Sequence, residues 1–128
     1  MDPVQLTPGR LLRAVVLGVA LLIISAVVIY QSFLHLHPVY QKGVSLVQAN
    51  PVAHALLGQM IFPSFWVQGR AWRKFASIEF GVKGAKGKAK ASVVATFGPD
   101  GWQIRYILLK QPGQRGQALP DVEGITFD

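Results

Sequence analysis

The sequence predicts an α+β protein: a single N-terminal transmembrane helix, followed by a short helical segment packed on an antiparallel β-meander of three to five strands. Three observations carry this. Residues 14–34 form one long uncharged run, residues 38–58 carry apolar residues at helical spacing, and three later segments alternate with period two.

Apolar residues make up 51% of the 128-residue chain and charged residues only 15%. That balance is greasy for a single soluble domain and directs the search to a membrane segment. "AVVLGVALLIISAVVIYQSFL", Ala14 to Leu34, supplies it. About 20 apolar residues at 1.5 Å rise cross a hydrocarbon core of roughly 30 Å. A buried soluble helix would show polar residues at helical spacing, and Ala14 to Val28 shows only Ser25. A cleaved signal peptide would have a shorter apolar region followed by a small-x-small site, so a retained anchor is expected. The glycine, Phe and Glu of a type IV prepilin start do not precede Ala14.

Arg10 and Arg13 precede the run, and the nearest cation after it is Lys42. The positive-inside rule then places the N-terminus in the cytoplasm and the larger domain beyond the inner (cytoplasmic) membrane, in the periplasm or its extracytoplasmic equivalent. The expected organisation is a cytoplasmic tail (1–13), a single-span anchor (14–36), an α+β domain (38–110) and a loosely ordered tail (111–128). That last segment is rich in Gly, Pro and Gln, although "GITFD" can add a strand.

In the domain, Val44 and Val47, then Val52 and Leu56, fall at helical spacing. Asn50-Pro51 marks a break and restart, with Asn50 as cap and Pro51 at the first helical position. Gly58 closes the second piece. "MIFPSF" reads as an apolar connector, where Pro63 argues against regular structure. "FWVQGRAW" is a candidate extra strand.

Three strands follow. Ala76, Ile78, Phe80 and Val82 alternate with polar or small residues, as do Ala89, Ala91, Val93, Ala95 and Phe97, and then Trp102, Ile104, Tyr106 and Leu108. "GAKG" and "GPDG" between them are turn chemistry. A turn symmetric about Gly84–Gly87 sets Ile78 opposite Val93 and Phe80 opposite Ala91. One symmetric about Gly98–Gly101 sets Ala95 opposite Ile104, Val93 opposite Tyr106 and Ala91 opposite Leu108. All these residues then share one face, and a one-residue slip would turn a strand inside out. The small Ala91 and Ala95 leave room for a helical cover, for which Val52–Leu57 is the candidate.

The glycine- and lysine-rich "VKGAKGKAKASV" invites a phosphate-loop reading, and its spacing refuses it. Counting back from Gly87-Lys88 puts Val82 where a Walker loop needs glycine, Ala89 follows the lysine, and a strand follows instead of a helix. "GAKG" matches the G-x-x-G of KH domains, but here it joins strands rather than helices. No nucleic-acid partner, small-molecule substrate, cofactor or metal is expected. His35 and His37 read as interfacial polar residues without further ligands nearby, and His54 as a helix-surface or packed residue. No carboxylate pair or Ser/His/Asp set is visible, and the absence of cysteine excludes disulfides, thiolate metal sites and a Cys nucleophile. The reading is non-enzymatic.

What remains is binding. The chain carries 13 Lys and Arg against six acids, a balance suited to an anionic partner. The outer sheet face is expected to show Ser77, Glu79, Lys88, Lys90 and Arg105, with Lys90 diagonal to Glu79. Lys83 and Lys86 lie at the hairpin tip, and Arg70, Arg73 and Lys74 form a second basic cluster. The candidate partner-binding residues are Lys83, Lys86, Lys88, Lys90, Arg105, Arg73 and Lys74. The plain alternative is a solvated face whose charges discourage aggregation.

"NPVAHALLGQ", "VQGRAW", "ASIEFGVKGAKGKAKASVVATF" and "GWQIRYILL" together resemble the cytochrome oxidase complex assembly protein family. The shared pattern is a short helix ending in Leu-Gly, a Val-x-Gly strand and a strand ending in V-x-G-x-K-G. A small-residue strand and a W-x-(I/L) strand follow, so that the likeness spans about Val44 to Lys110. The resemblance implies a bacterial relative of the mitochondrial single-span inner-membrane assembly factors. It implies a helix-plus-sheet domain on the far side of an energy-transducing membrane, which helps a respiratory complex assemble. A membrane protein complex is then the expected partner. The rival expectation is a tethered module that binds anionic lipid or envelope polymer through the basic hairpin.

Overall fold

The computed structural model describes residues 8–127. Residues 1–7 of the expected cytoplasmic tail, and Asp128 of the expected C-terminal tail, lie outside the described residues. The chain divides into two units, one ending at Ser32 and one beginning at Phe33.

The first unit belongs to α1 (Pro8–Leu36), a 29-residue helix. Its most apolar 18-residue window has a mean hydropathy of 2.7 and buries none of its residues within the protein. Leu21, Leu22 and Ile29 stand open. One helix is therefore long and apolar enough to cross a membrane, at about 44 Å from end to end.

The second unit starts with the last turn of α1, where Leu34 enters the core. Two helices follow, α2 (Pro38–Ala49) and α3 (Pro51–Leu57). Each begins with proline behind a side-chain cap, as helix starts favour. His37 Nδ1 accepts from Val39 N–H at 3.2 Å, and Asn50 Oδ1 from Val52 N–H at 2.9 Å. Asn50 is buried, and its amide donates to the Pro120 carbonyl at 3.0 Å, so both ends of this polar group are satisfied.

Four long strands form an antiparallel meander in the order β1 (Phe62–Ala71), β2 (Phe75–Gly84), β3 (Gly87–Gly98) and β4 (Gly101–Lys110). The β2–β3 register is the predicted one, with Ile78 opposite Val93 and Phe80 opposite Ala91. Val67, Ile78, Phe80, Val93 and Ile104 are all but fully buried on one face, and both α2 and α3 cover it. Gly43 makes this approach possible. A Cβ there would stand 2.6 Å from Val93 Cγ2, closer than carbon atoms pack.

Three features depart from expectation. "MIFPSF" was expected as a connector, but β1 already starts at Phe62, with Pro63 opposite Val82. Proline is tolerated because β1 is an edge strand with no partner owed a bond on its outer side. The register then slips between Pro63 and Val67, so residues 64–66 bulge opposite Gly81 alone.

The second departure is in β4. Ala95 faces Ile104 as expected, but Val94 faces Tyr106 and Val93 faces Ile107, which leaves Arg105 as an extra residue. Tyr106 therefore points outward, 43% exposed, while Ile107 and Leu109 take the core places expected for Tyr106 and Leu108. The bulge buries two aliphatic side chains in place of a phenol whose hydroxyl would need a partner there.

The third departure is the C-terminal segment, expected to be loosely ordered. β5 (Gln117–Ala118) and β6 (Thr126–Phe127) both pair with β4, and Leu119 and Val122 between them are buried. Backbone bonds from Leu119 to Ile107 and from Gly124 to Ile104 complete the strap.

Two outcomes follow. Gly43→Ala would gain about 1 kcal/mol of helix propensity on a free surface. Here thermal melting of the full chain in detergent should instead show a net loss of about 1–3 kcal/mol from overpacking, reversed by adding Val93→Ala. Deleting Arg105 should preserve the cooperative melt, since losing the extra residue restores unbroken alternation and keeps Ile107 opposite Val93 and Leu109 opposite Ala91. Arg105→Ser should stay within about 0.5 kcal/mol of the parent.

Candidate partner-binding surface

The β2–β3 turn is fixed from below. The C-terminal end of α3 points its Leu57 carbonyl at the turn, where Lys86 N–H donates to it at 2.8 Å. Gly84 lies directly against the same carbonyl, and any Cβ there would collide with it. Gly58, at φ +100°, ends α3 and leaves room for Ala85. The hairpin tip is held by backbone and does not depend on its lysines for its place.

Those lysines project from the outer face. Lys83 stands directly opposite Lys88, and Lys90 opposite Gly81. Lys86 is exposed at the tip. Like charges facing each other across a pair cost stability, so the turn concentrates positive charge against its own folding interest. Lys90 is compensated: its Nζ lies 2.7 Å from Glu79, the predicted diagonal pair. Both partners are substantially exposed, so the pair contributes little.

Sequence reasoning missed Lys110. It lies opposite Lys90 on β4 and is exposed. The Arg105 bulge is what brings it to the outer face, and unbroken alternation from Trp102 does not anticipate that. Lys88, Lys90 and Lys110 rim a shallow pit of about 400 Å³ whose floor is Gly81 and Ala89, closed on one side by Pro112 and Gly113. An apolar floor with a cationic rim suits an acidic side chain or a chain end carrying a carboxylate.

The seven predicted residues do not form one site. Lys83, Lys86, Lys88 and Lys90 share the α3-facing end of the sheet. Arg73 and Lys74 occupy the β1–β2 turn, at the opposite end of β2. Arg105 belongs with that second group, because its Nε donates to Thr96 Oγ1 at 2.9 Å and Thr96 faces Phe75. Ten residues of extended β2 separate the two groups by about 30 Å.

The histidines hold structure. His35 Nε2 donates to the Phe65 carbonyl at 2.7 Å, and its ring packs on Tyr40 and Phe65. His54 Nε2 bonds the Gln48 carbonyl. His37 caps α2 and packs edge-on against Trp102, and burial pushes its pKa below the usual 6.5. Among the described residues, no group of three or more His, Asp or Glu side chains comes together in a way that could hold a metal.

A family model described as cytochrome oxidase complex assembly protein 1 matches residues 12–117. No curated protein and no solved structure matches the chain significantly. The match runs from within α1 to the first residue of β5, and the Leu119–Phe127 strap lies beyond it.

The His37 cap titrates. Burial disfavours the charged ring and depresses its folded-state pKa, and Nδ1 accepts from Val39 N–H only while it carries no proton. The unfolded chain binds the extra proton first, so this contribution is complete above pH 6.5 and is lost as pH falls through the lowered folded value. Melting temperature measured from pH 7.5 to 5 should fall more steeply for the parent than for His37→Asn, which keeps a capping oxygen and cannot titrate.

Proposed function

The chain belongs to the cytochrome oxidase complex assembly protein 1 family, and from that premise we propose that it is a membrane-anchored, non-enzymatic scaffold that helps a respiratory cytochrome oxidase complex assemble. The family match, which covers the sheet domain together with most of α1, is the observation that carries this reading. In it, residues 1–13 form a cytoplasmic tail and 14–36 the single span in the inner membrane. Residues 38–110 form the domain beyond the membrane, and residues 111–128 follow as its tail. Arg10 and Arg13 hold the N-terminus on the cytoplasmic side.

The partner in this reading is a membrane protein complex that presents an acidic surface to the β2–β3 hairpin and its pit. A preformed cationic turn suits that role, since rim charges govern encounter rate and register more than total affinity.

Crosslinking and capture from native membranes test the reading, together with oxidase activity after deletion of the gene. Loss of assembled oxidase and recovery of an oxidase subunit are expected. Normal oxidase in the deletion, with no respiratory protein captured, would sink it. Changing Lys83, Lys86, Lys88 and Lys90 to Ser should weaken capture about ten-fold at low salt and leave folding intact. Unaltered capture would reduce the hairpin to a solubilising device.

A further inference from the structure

The β1–β2 turn end of the sheet has a different surface from the hairpin end. Its attachment can be followed residue by residue. Phe33, in the last turn of α1, packs on His37, and His37 packs on Trp102 with ring centroids 5.2 Å apart. Trp102 packs on Phe97, also at 5.2 Å. Phe97 N–H donates to the Lys74 carbonyl at 2.9 Å. Lys74 thus lies three side-chain contacts and one backbone bond from Phe33.

Lys74 sits in the tight β1–β2 turn, closed by the bond from Trp72 N–H to the Phe75 carbonyl at 2.6 Å. The turn reads Trp72-Arg73-Lys74-Phe75, and all four side chains are exposed, Trp72 at 64%. Phe97 stands open beside it at 46%. Aromatic rings left in water next to cations are unfavourable for a freely soluble domain. They are what a bilayer interface selects, because indole settles at headgroup level and each nearby Lys or Arg is drawn to anionic lipid. Asp100, in the adjoining Gly98–Gly101 turn, is outnumbered by Arg73, Lys74 and Arg105 at this end.

We propose that the Trp72–Phe75 turn, with Phe97, docks into the anionic headgroup layer of the membrane that holds α1, a second contact that fixes the domain's orientation. The proposal rests on the reading of α1 as a membrane anchor. The β2–β3 hairpin lies at the other end of β2 from this turn.

The test uses the full chain reconstituted in vesicles of phosphatidylcholine alone, or of equal parts phosphatidylcholine and phosphatidylglycerol, with and without lipids brominated near the headgroup. Tryptophan quenching by the brominated lipid is expected, stronger in the anionic vesicles, and most of it should disappear in Trp72→Phe. Each of Arg73→Ser and Lys74→Ser should lower the docked-to-undocked ratio about five-fold in the anionic vesicles. Salt at 1 M, where the Debye length is about 3 Å, should act likewise. Quenching that is unchanged in Trp72→Phe overturns the proposal. So does Trp72 that stays unquenched while Arg73→Ser and Lys74→Ser abolish capture of a protein, which would make the turn a protein-docking surface. Flotation with vesicles after an alkaline carbonate wash reports the anchor separately. A chain that floats with Trp72 unquenched refutes only the docking, and one that does not float refutes both.

Discussion

The domain depends on one contact between helix and sheet: the Leu57 carbonyl resting on Gly84 and accepting from Lys86 N–H. A helix C-terminus leaves carbonyls without intrahelical partners, and the β2–β3 turn satisfies one of them. The contact also fixes how far α3 slides along β2, and so which residues α2 lays over Val93. It gives a physical reason for two separated pieces of the sequence, Leu57-Gly58 and Gly84. Leu-Gly must end the helix so that the chain leaves with the carbonyl exposed, and glycine must stand at 84 because a side chain would strike that oxygen. The lysines around the turn are not needed for this, which leaves them available for a partner.

Much of the fold was legible because its periodicities are unbroken where they matter most. β2 and β3 alternate without interruption, and a symmetric glycine turn fixes their register. β4 was legible only as far as Ile104. Beyond it, Tyr106, Ile107, Leu108 and Leu109 are all apolar, so alternation carries no phase, and only packing decides which two face inward. That stretch was the available signal for the Arg105 bulge. Pro63 was misread because a rule for central strands was applied to an edge. Asn50 was legible as a cap, whereas His37, an uncommon capping residue, was not. Of the strap from Gln117 to Phe127 only "GITFD", where β6 forms, was marked as able to add a strand, because each strand is two residues long, too short for any period.

The candidate surface was partly legible for the same reason. Composition and alternation placed Lys83, Lys86, Lys88 and Lys90 together, and the Glu79–Lys90 diagonal followed from the register. The same composition grouped Arg73, Lys74 and Arg105 with them, and the length of β2 separates the two sets. Charge in a sequence has no address until strand direction is known. Here the address puts one basic group at the β1–β2 turn and the other at the β2–β3 turn.

The bulged stretch of β1 has a consequence for crowding. A neighbouring copy seeking to extend the sheet along β1 would meet Pro63, which has no N–H, and then a Phe65 carbonyl already occupied by the His35 ring. The next residues to reach are Phe65 and Trp66, turned outward by the register slip. The ladder offered to a second chain is broken at its first rungs. Copies at high local concentration are thereby kept from zipping edge to edge, and the same irregularity that hid β1 in the sequence keeps the sheet at one chain's width.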